Sequence, residues 1–259
     1  KNLSIGFYDS QLINGIVLVL MAIGAMHFGM IYSVIVTGSL KPMKNAVVKY
    51  YLGSIVVCSV IVMISLMTQG GYTSWGRAAM DSSFTVVSYM STAGFGICDN
   101  AAWPALAGIV LIFVSFQCGC SGSTTGGIKV DRIVIAFKAI GNEIKRRLHP
   151  SSVSSIRISG QNLTDGSVNA VMMFIVVYVF TIFISVLGVM LCGSDPATAF
   201  TGVVASLGSV GPGLGDVGCM DNYSTQPVMA KFIYSLDMFL GRVEIFPILV
   251  VLSMIFKRK

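Results

Sequence analysis

Two short glycine-rich stretches, each enclosed by apolar sequence, constrain the fold of this chain more than any other feature. They lie at residues 91–96 and 209–213, and apolar runs precede and follow each of them. Glycine lets a backbone turn without a Cβ clash. Irregular backbone at membrane depth is tolerated only where it is buried in protein or lines a water-filled path. The two stretches therefore predict two re-entrant loops that wall one polar path.

The composition is typical of a membrane protein. Hydrophobic residues make up 54% of the chain, charged residues 11%, and the mean hydropathy is +0.82, whereas soluble domains carry about 25% charged residues. Basic residues concentrate in three segments, 41–49, 138–157 and 257–259. If each re-entrant loop returns to its own side, all three segments fall on one face, which the positive-inside rule makes cytoplasmic. The net charge of +6 therefore indicates membrane orientation, and no nucleic-acid partner is expected.

The apolar runs predict an all-α membrane protein. Runs long enough to cross about 30 Å of hydrocarbon are predicted as helices at residues 11–37, 47–68, 167–191 and 229–256. Half-length helices are predicted at 82–90 and 197–207, and a broken helix at 103–140. Residue 1 is Lys and not Met, so we expect the sequence to begin within a longer protein.

These elements group into three predicted parts. Residues 1–49 form a transmembrane helix and a basic cytoplasmic loop, and residues 50–157 and 158–259 form two pore units. Each unit contains a helix, a re-entrant filter loop and a closing helix, with filter loops at 82–98 and 197–216 and closing helices at 103–140 and 228–256.

The two units have the marks of an internal repeat. Residues 84–85 match residues 200–201, and residues 94–96 match residues 211–213, with a one-residue slip between the two matches. Both copies run in the same direction across the membrane, which implies rotational pseudosymmetry about an axis along the membrane normal. Two copies cannot encircle a pore, so the other walls must come from a second chain or from sequence upstream.

The loops offer the chemistry that a bare monovalent cation needs. Backbone carbonyls replace a hydration shell without a fixed negative charge, so an ion can enter and leave. Neither loop offers a ring of carboxylates, which disfavours a divalent-cation filter. The competing interpretation is that both loops are turns that merely end helices. The expected oxygen donors are Thr92, Ala93, Gly94, Ser209, Val210 and Gly211.

Arg242 is the second informative residue, because an arginine inside a membrane span usually faces a partner or a watery path. One interpretation is a structural ion pair with Glu244 or Asp237. The other is a positive charge below the filter that opposes cations. Residues 117–127 form a glycine-rich break, interpreted as a mobile loop that lines a cavity or, alternatively, as an extramembrane loop.

Four motifs together resemble the bacterial Trk-type potassium uptake subunit of the Trk/Ktr/HKT superfamily, and they lie at residues 91–95, 119–130, 210–215 and 241–247. The resemblance covers nearly the whole chain. It implies four pseudo-symmetric helix–pore-loop–helix repeats around a central ion pore, of which this chain holds the last two and the preceding helix. It also implies multi-pass insertion in the bacterial inner membrane and potassium uptake.

The resemblance further implies the roles of particular residues. Potassium, the transported ion, would bind the backbone carbonyls of Thr92, Ala93, Val210 and Gly211, and no organic cofactor is expected. The intramembrane gate would consist of Gly119, Gly122, Gly126, Gly127 and Arg242. The implied partners are the N-terminal repeats of the same protein, a second copy in a homodimer, membrane lipid, and a cytoplasmic nucleotide-binding regulatory subunit at residues 138–157. Two departures are Ser209 after Gly208, where Asn-Asn or similar is expected, and the charge of Asp237.

Three other functions remain to be weighed. A secondary transporter of a small anionic solute would use Arg242 and helix N-termini, but it predicts inverted copies. A non-transporting scaffold leaves the glycine-rich loops without a role. An enzyme is not expected, because no His, Cys or carboxylate cluster converges within a span. The sequence also leaves open a disulfide between Cys192 and Cys219.

Overall fold

The computed structural model describes residues 4–149, 156–158 and 161–257. Parts of the basic segments 138–157 and 257–259 therefore lie outside the described residues. Over the described ranges the chain is helical except for loops and one hairpin, β1 (Arg157–Ile158) with antiparallel β2 (Gln161–Asn162). The α-helices are α1 (Gln11–Gly24), α2 (Phe28–Thr37), α3 (Ala46–Gln69), α4 (Trp75–Met90), α5 (Ala105–Gln117), α6 (Val130–Leu148), α7 (Asp165–Leu191), α8 (Pro196–Leu207), α9 (Val228–Val243) and α10 (Ile245–Lys257).

The predicted helical membrane class is confirmed. Helices α3 and α7 contain 24 and 27 residues and are long and apolar enough to cross a membrane, and α1 with α2 adds a third span if the bent pair is counted as one. The outer face of α7 exposes Phe180, Phe183 and Ile184, as expected for side chains that face lipid. The chain is therefore a multi-pass membrane protein.

The predicted helix at 11–37 is not continuous. The helix bends by 100° and restarts at Phe28. The bend frees backbone groups that a straight helix would pair: the Ala25 carbonyl accepts the N–H of Cys120 at 2.9 Å, and the Phe28 N–H donates to the Gly122 carbonyl at 3.1 Å. The partners come from the distant glycine-rich loop, which is why the apolar run alone suggested one helix.

The predicted closing helix at 228–256 is also interrupted. Helix α9 ends at Val243 and α10 starts at Ile245, because Glu244 adopts a left-handed φ of 66°. A non-glycine residue in this region costs roughly 1–2 kcal/mol. The ion pairs of Glu244 described below offset that cost.

Two helices are longer than predicted. Helix α4 starts at Trp75 and not at residue 82. It includes Asp81, which is buried and accepts a hydrogen bond from the Tyr72 hydroxyl at 2.9 Å. Helix α6 continues past residue 140 to Leu148. Ion pairs from Glu143 to arginines three and four residues later support this extension in the way that such pairs support exposed helices.

The core consists of one cluster around α3, α4 and α5, a second around α7, α8 and α9, and a smaller third between α1 and α4. Tyr51 and Leu111 lie at the centre of the first, and Tyr178 and Val203 at the centre of the second. Val210, from the second filter loop, packs into the first cluster. The two units therefore share a packed interface. Cys192 and Cys219 are free thiols, so the disulfide is not formed.

Candidate ion filter and gate

The two predicted filter loops have equivalent backbone turns. In each loop, three consecutive backbone N–H groups donate hydrogen bonds to carbonyls at the end of the preceding half-helix. Corresponding donors and acceptors of the two loops are separated by the same number of residues. The hydrogen bonds are Ser91 to Val87, Thr92 to Tyr89 and Ala93 to Ser88 in the first loop, and Gly208 to Val204, Ser209 to Ser206 and Val210 to Ala205 in the second. This register pairs Phe84 with Thr201, so the apparent match of Phe84 to Phe200 is offset by one residue.

The dihedral angles agree with this equivalence. Thr92 and Ser209 each have a φ of 54°, and two residues later Gly94 and Gly211 have φ values of 69° and 102°. These conformations end α4 and α8 and turn the chain into an extended return. The carboxyl ends of both half-helices, which carry the negative end of the helix dipole, thus meet the same pair of loops.

The loops lie in direct contact. A Cβ atom placed on Gly94 would lie 2.7 Å from the Val210 carbonyl oxygen, so no side chain fits there. The buried Tyr89 hydroxyl donates to the Gly213 carbonyl at 3.0 Å, and the Asn100 amide donates to that hydroxyl at 2.7 Å. One unit therefore braces the filter loop of the other.

A side-chain hydroxyl group also donates a hydrogen bond to a carbonyl of each loop. The Ser88 Oγ donates to the Phe95 carbonyl at 2.6 Å, and the Tyr223 hydroxyl donates to the Gly211 carbonyl at 2.9 Å. The Gly211 oxygen therefore keeps one lone pair for another partner. Sequence reasoning missed Tyr89 and Tyr223; the available signal was that a buried tyrosine hydroxyl needs a hydrogen-bond partner.

A cavity of about 280 Å³ lies between the loops and the glycine-rich break. Thr92, Ala93 and Ser209 line it, whereas Val210 is only 2% exposed. Gly94 and Gly211 belong to the same loops without lining this cavity. The wall consists of Met21, Gly24, Ser91, Thr92, Ala93, Thr124, Ser209 and Arg242.

The predicted gate loop packs against other segments. Cys118, Cys120 and Thr125 are at most 4% exposed, whereas Gly122 and Thr124 are exposed. Its glycines are sites where no side chain fits. A Cβ atom would meet the Ala25 carbonyl at Gly119, the His27 ring at Gly122, the Gly208 carbonyl at Gly126 and the Cys118 sulfur at Gly127.

Arg242 contacts the gate loop directly. Its guanidinium donates to the Thr124 carbonyl, and its side chain lines the cavity. The ion-pair interpretation is not supported among the described residues, since Glu244 binds other cations and Asp237 accepts from the Ser185 hydroxyl. Arg242 therefore places a positive charge beside the loop and below the filter residues.

Glu244 joins the two helix breaks. Its carboxylate pairs with Lys129 Nζ and with the Arg132 guanidinium, both at 2.8 Å. Lys129 ends the gate loop with a φ of 74°, and Arg132 lies 3.8 Å from the centre of the Phe174 ring. Sequence reasoning missed both cations because they lie more than a hundred residues from Glu244.

We expect Glu244→Gln to lower the free energy of unfolding by about 2 kcal/mol, because it leaves two partly buried cations without their shared carboxylate. Chemical denaturation in detergent measures this change. Glu143→Gln is the matched control, since Glu143 also pairs with two cations but on an exposed surface, where such pairs contribute at most about 1 kcal/mol. Equal effects of the two variants would contradict the assignment.

Comparisons with known proteins show the family and the overall fold of the chain. A family model described as the cation transport protein TrkH matches residues 2–258. The Trk system potassium uptake proteins TrkH of Escherichia coli (strain K12) and Salmonella typhimurium are 35% and 34% identical to the chain over 99% of its length. The crystal structure of the potassium transporter TrkH from Vibrio parahaemolyticus superposes with a TM-score of 0.89 at 33% identity over 96% of the chain.

The chain spans about half the length of these proteins, 53% of the two curated relatives and 54% of the solved chain. The matched residues include both filter loops, the glycine-rich break and the Arg242 region. The chain therefore belongs to the TrkH family of cation transport proteins.

Proposed function

We propose that this chain forms two of the four walls of a potassium-conducting pore across the bacterial inner membrane. The observation that carries this proposal is the contact between two equivalent carbonyl-bearing loops beside one cavity. The other two walls are the N-terminal repeats of the same protein, consistent with relatives about twice as long. Transport, and not catalysis, is the inferred activity.

In this proposal, potassium passes through carbonyl oxygens of Thr92, Ala93 and Gly94 from one loop and of Ser209, Val210 and Gly211 from the other. The described residues contain no group of three His, Cys, Asp or Glu side chains that would hold a metal, so peptide oxygens are the available ligands. The inward carboxyl ends of α4 and α8 favour a cation over an anion at this position. This polarity favours potassium over the alternative anionic solute.

The gate in this proposal is the glycine-rich loop together with Arg242. A guanidinium beside the ion path raises the electrostatic barrier to a cation. Arg242 also holds the loop through the Thr124 carbonyl. Displacing the loop would move this charge and widen the path at the same step.

The proposed partners follow from exposed surface. Helix α6 carries Lys145, Arg146 and Arg147 on the face predicted to be cytoplasmic, and all three are exposed. We assign this basic surface to a nucleotide-binding regulatory subunit, and we expect a second copy of the whole protein and lipid to cover the apolar outer helices.

The function is tested by growth of a potassium-uptake-deficient bacterium at low potassium, with the full-length protein that contains this chain supplied on a plasmid. Rescue of growth supports the proposal. Failure of a correctly inserted protein to restore growth, with and without its regulatory subunit, would refute it.

Arg242→Ala is expected to raise potassium uptake. Removing one positive charge beside the path lowers the barrier by about 1–2 kcal/mol at the effective dielectric of a watery cavity, which corresponds to about tenfold in rate. Arg242→Gln separates charge from hydrogen bonding, because an amide can still donate to Thr124. Similar increases in both variants identify the charge as the barrier, whereas an uptake equal to that of the exposed-site control Arg77→Ala would contradict it.

A further inference from the structure

A carboxyl group that the filter and gate do not use is buried between α7 and α9. Asp237 is 1% exposed. Its Oδ1 atom accepts a hydrogen bond from the Ser185 hydroxyl at 2.7 Å. Its Oδ2 atom is buried and has no hydrogen-bond partner within the part of the chain that the structure describes. Such an orphaned oxygen is rare in native proteins and calls for a bound partner.

Two further orphaned oxygens accompany it. The hydroxyls of Tyr178 and Tyr234 are buried without a hydrogen-bond partner in the described ranges. Tyr178 and Ser185 are seven residues apart and share one face of α7, and Tyr234 precedes Asp237 by one helical turn. Three unsatisfied oxygen atoms therefore lie on the facing sides of two packed membrane helices.

No basic side chain neutralises this carboxyl among the residues described. Among the elements packed against α9, the ionisable residues of α7 are Tyr178 and Asp165, and Asp165 lies at the far end of that helix from Ser185. Helix α8 has none, and α10 has none before its terminal Lys257. The remaining titratable neighbours are Tyr223, whose ring contacts that of Tyr234, and Cys192, which packs against the same core cluster. An unpaired carboxylate costs several kcal/mol in such surroundings. A proton on the carboxyl removes that cost and supplies a donor for an orphaned oxygen.

A series of contacts leads from the site to the second filter loop. The rings of Tyr234 and Tyr223 meet edge to face with centroids 5.1 Å apart. The Tyr223 hydroxyl in turn donates to the Gly211 carbonyl at 2.9 Å. Tyr234 also lies against Gly202 of α8, where a Cβ atom would come within 2.9 Å of its hydroxyl. Packed aromatic rings therefore connect the helical turn before Asp237 to a filter residue.

Building on the proposed potassium conduction, we propose that Asp237 is a proton-binding site whose ionisation controls cation occupancy of the second filter loop. The neutral acid donates a hydrogen bond within the cluster. Loss of the proton leaves a buried negative charge behind the loop and attracts potassium. Sodium is a poorer occupant than a proton, because the helix carbonyls around the site are committed to helix hydrogen bonds and too few free oxygens remain.

The test uses the full-length protein in proteoliposomes, with potassium flux at limiting potassium measured from about pH 5 to pH 8, where buried carboxyl groups titrate. We expect flux to be about threefold higher at the alkaline end. Asp237→Asn should flatten the profile, while the matched control Asp221→Asn, at an exposed loop carboxyl, should keep it. A profile unchanged in Asp237→Asn would overturn the inference.

Infrared difference spectroscopy on the purified protein gives a readout that does not depend on flux. The band of a protonated carboxyl should disappear in Asp237→Asn and shift in Ser185→Ala, which keeps the acid and removes its hydrogen-bond donor. Absence of that band at every pH would overturn the inference. A potassium flux that depends on sodium concentration at fixed pH, and that loses this dependence in Asp237→Asn, would also overturn it. If the wild-type protein conducts no potassium at any pH, the proposed function fails, and the infrared result still decides the site.

Discussion

Gly241→Ala is expected to abolish potassium uptake. A Cβ atom at Gly241 would overlap the backbone carbonyl of Leu207, the last residue of α8. Backbone at a helix end cannot rotate away as a side chain does, so α9 must separate from α8. Overpacking of this kind typically costs 1–3 kcal/mol, and about 3 kcal/mol is expected here. The displacement also moves Arg242 and Glu244, which follow directly in α9 and at its break.

The measurement compares this variant with Gly53→Ala. Gly53 lies in the middle of α3, and a Cβ atom there meets nothing within 4 Å, so alanine should stabilise the helix slightly. Size-exclusion chromatography reports folding and potassium uptake reports function. If the two variants behave alike in both assays, then close contact between α8 and α9 is not required for the gate.

Gly94→Ala is expected to reduce potassium uptake by at least about tenfold, equivalent to 1.4 kcal/mol or more. Two causes add. The φ of 69° is unfavourable for alanine by about 1–2 kcal/mol, and the new methyl group would press on the Val210 carbonyl oxygen and on Pro212. The second effect displaces a proposed potassium ligand on the opposite loop.

Gly71→Ala separates these causes. Gly71 has a φ of 70°, but a Cβ atom there meets nothing within 4 Å. It should show the backbone strain as a small loss of stability and retain uptake at wild-type level. Equal uptake in the two variants would mean that contact between the filter loops does not matter for conduction.

Much of the filter was predictable because its signals are local. A glycine-rich turn after a short apolar helix is recognisable within a dozen residues, so both filter loops, α5, α7 and α8 were placed close to their observed positions. The register of the repeat was not predictable from the sequence. Phe84 matches Phe200 by residue type, but the hydrogen bonds of the two loops pair Phe84 with Thr201. Residue identity there reflects packing, and the backbone turns set the alignment.

The errors share one cause. The break between α1 and α2 is stabilised by Cys120 and Gly122, and the break at Glu244 by Lys129 and Arg132. In both places a strained or interrupted helix is stabilised by groups about a hundred residues away along the chain. The local sequence of an apolar run does not indicate such distant partners.

By itself, the sequence determined that this chain is a helical membrane protein with two glycine-turned loops and a glycine-rich break, because hydropathy and the steric freedom of glycine are properties of single residues and short windows. Only the tertiary structure decided that the loops touch, that Arg242 holds the gate loop instead of an acid, and that Asp237 has no cation beside it among the residues that the structure describes. Those outcomes depend on which polar groups meet once the helices pack, since buried hydrogen-bonding groups and charges must find partners across the fold.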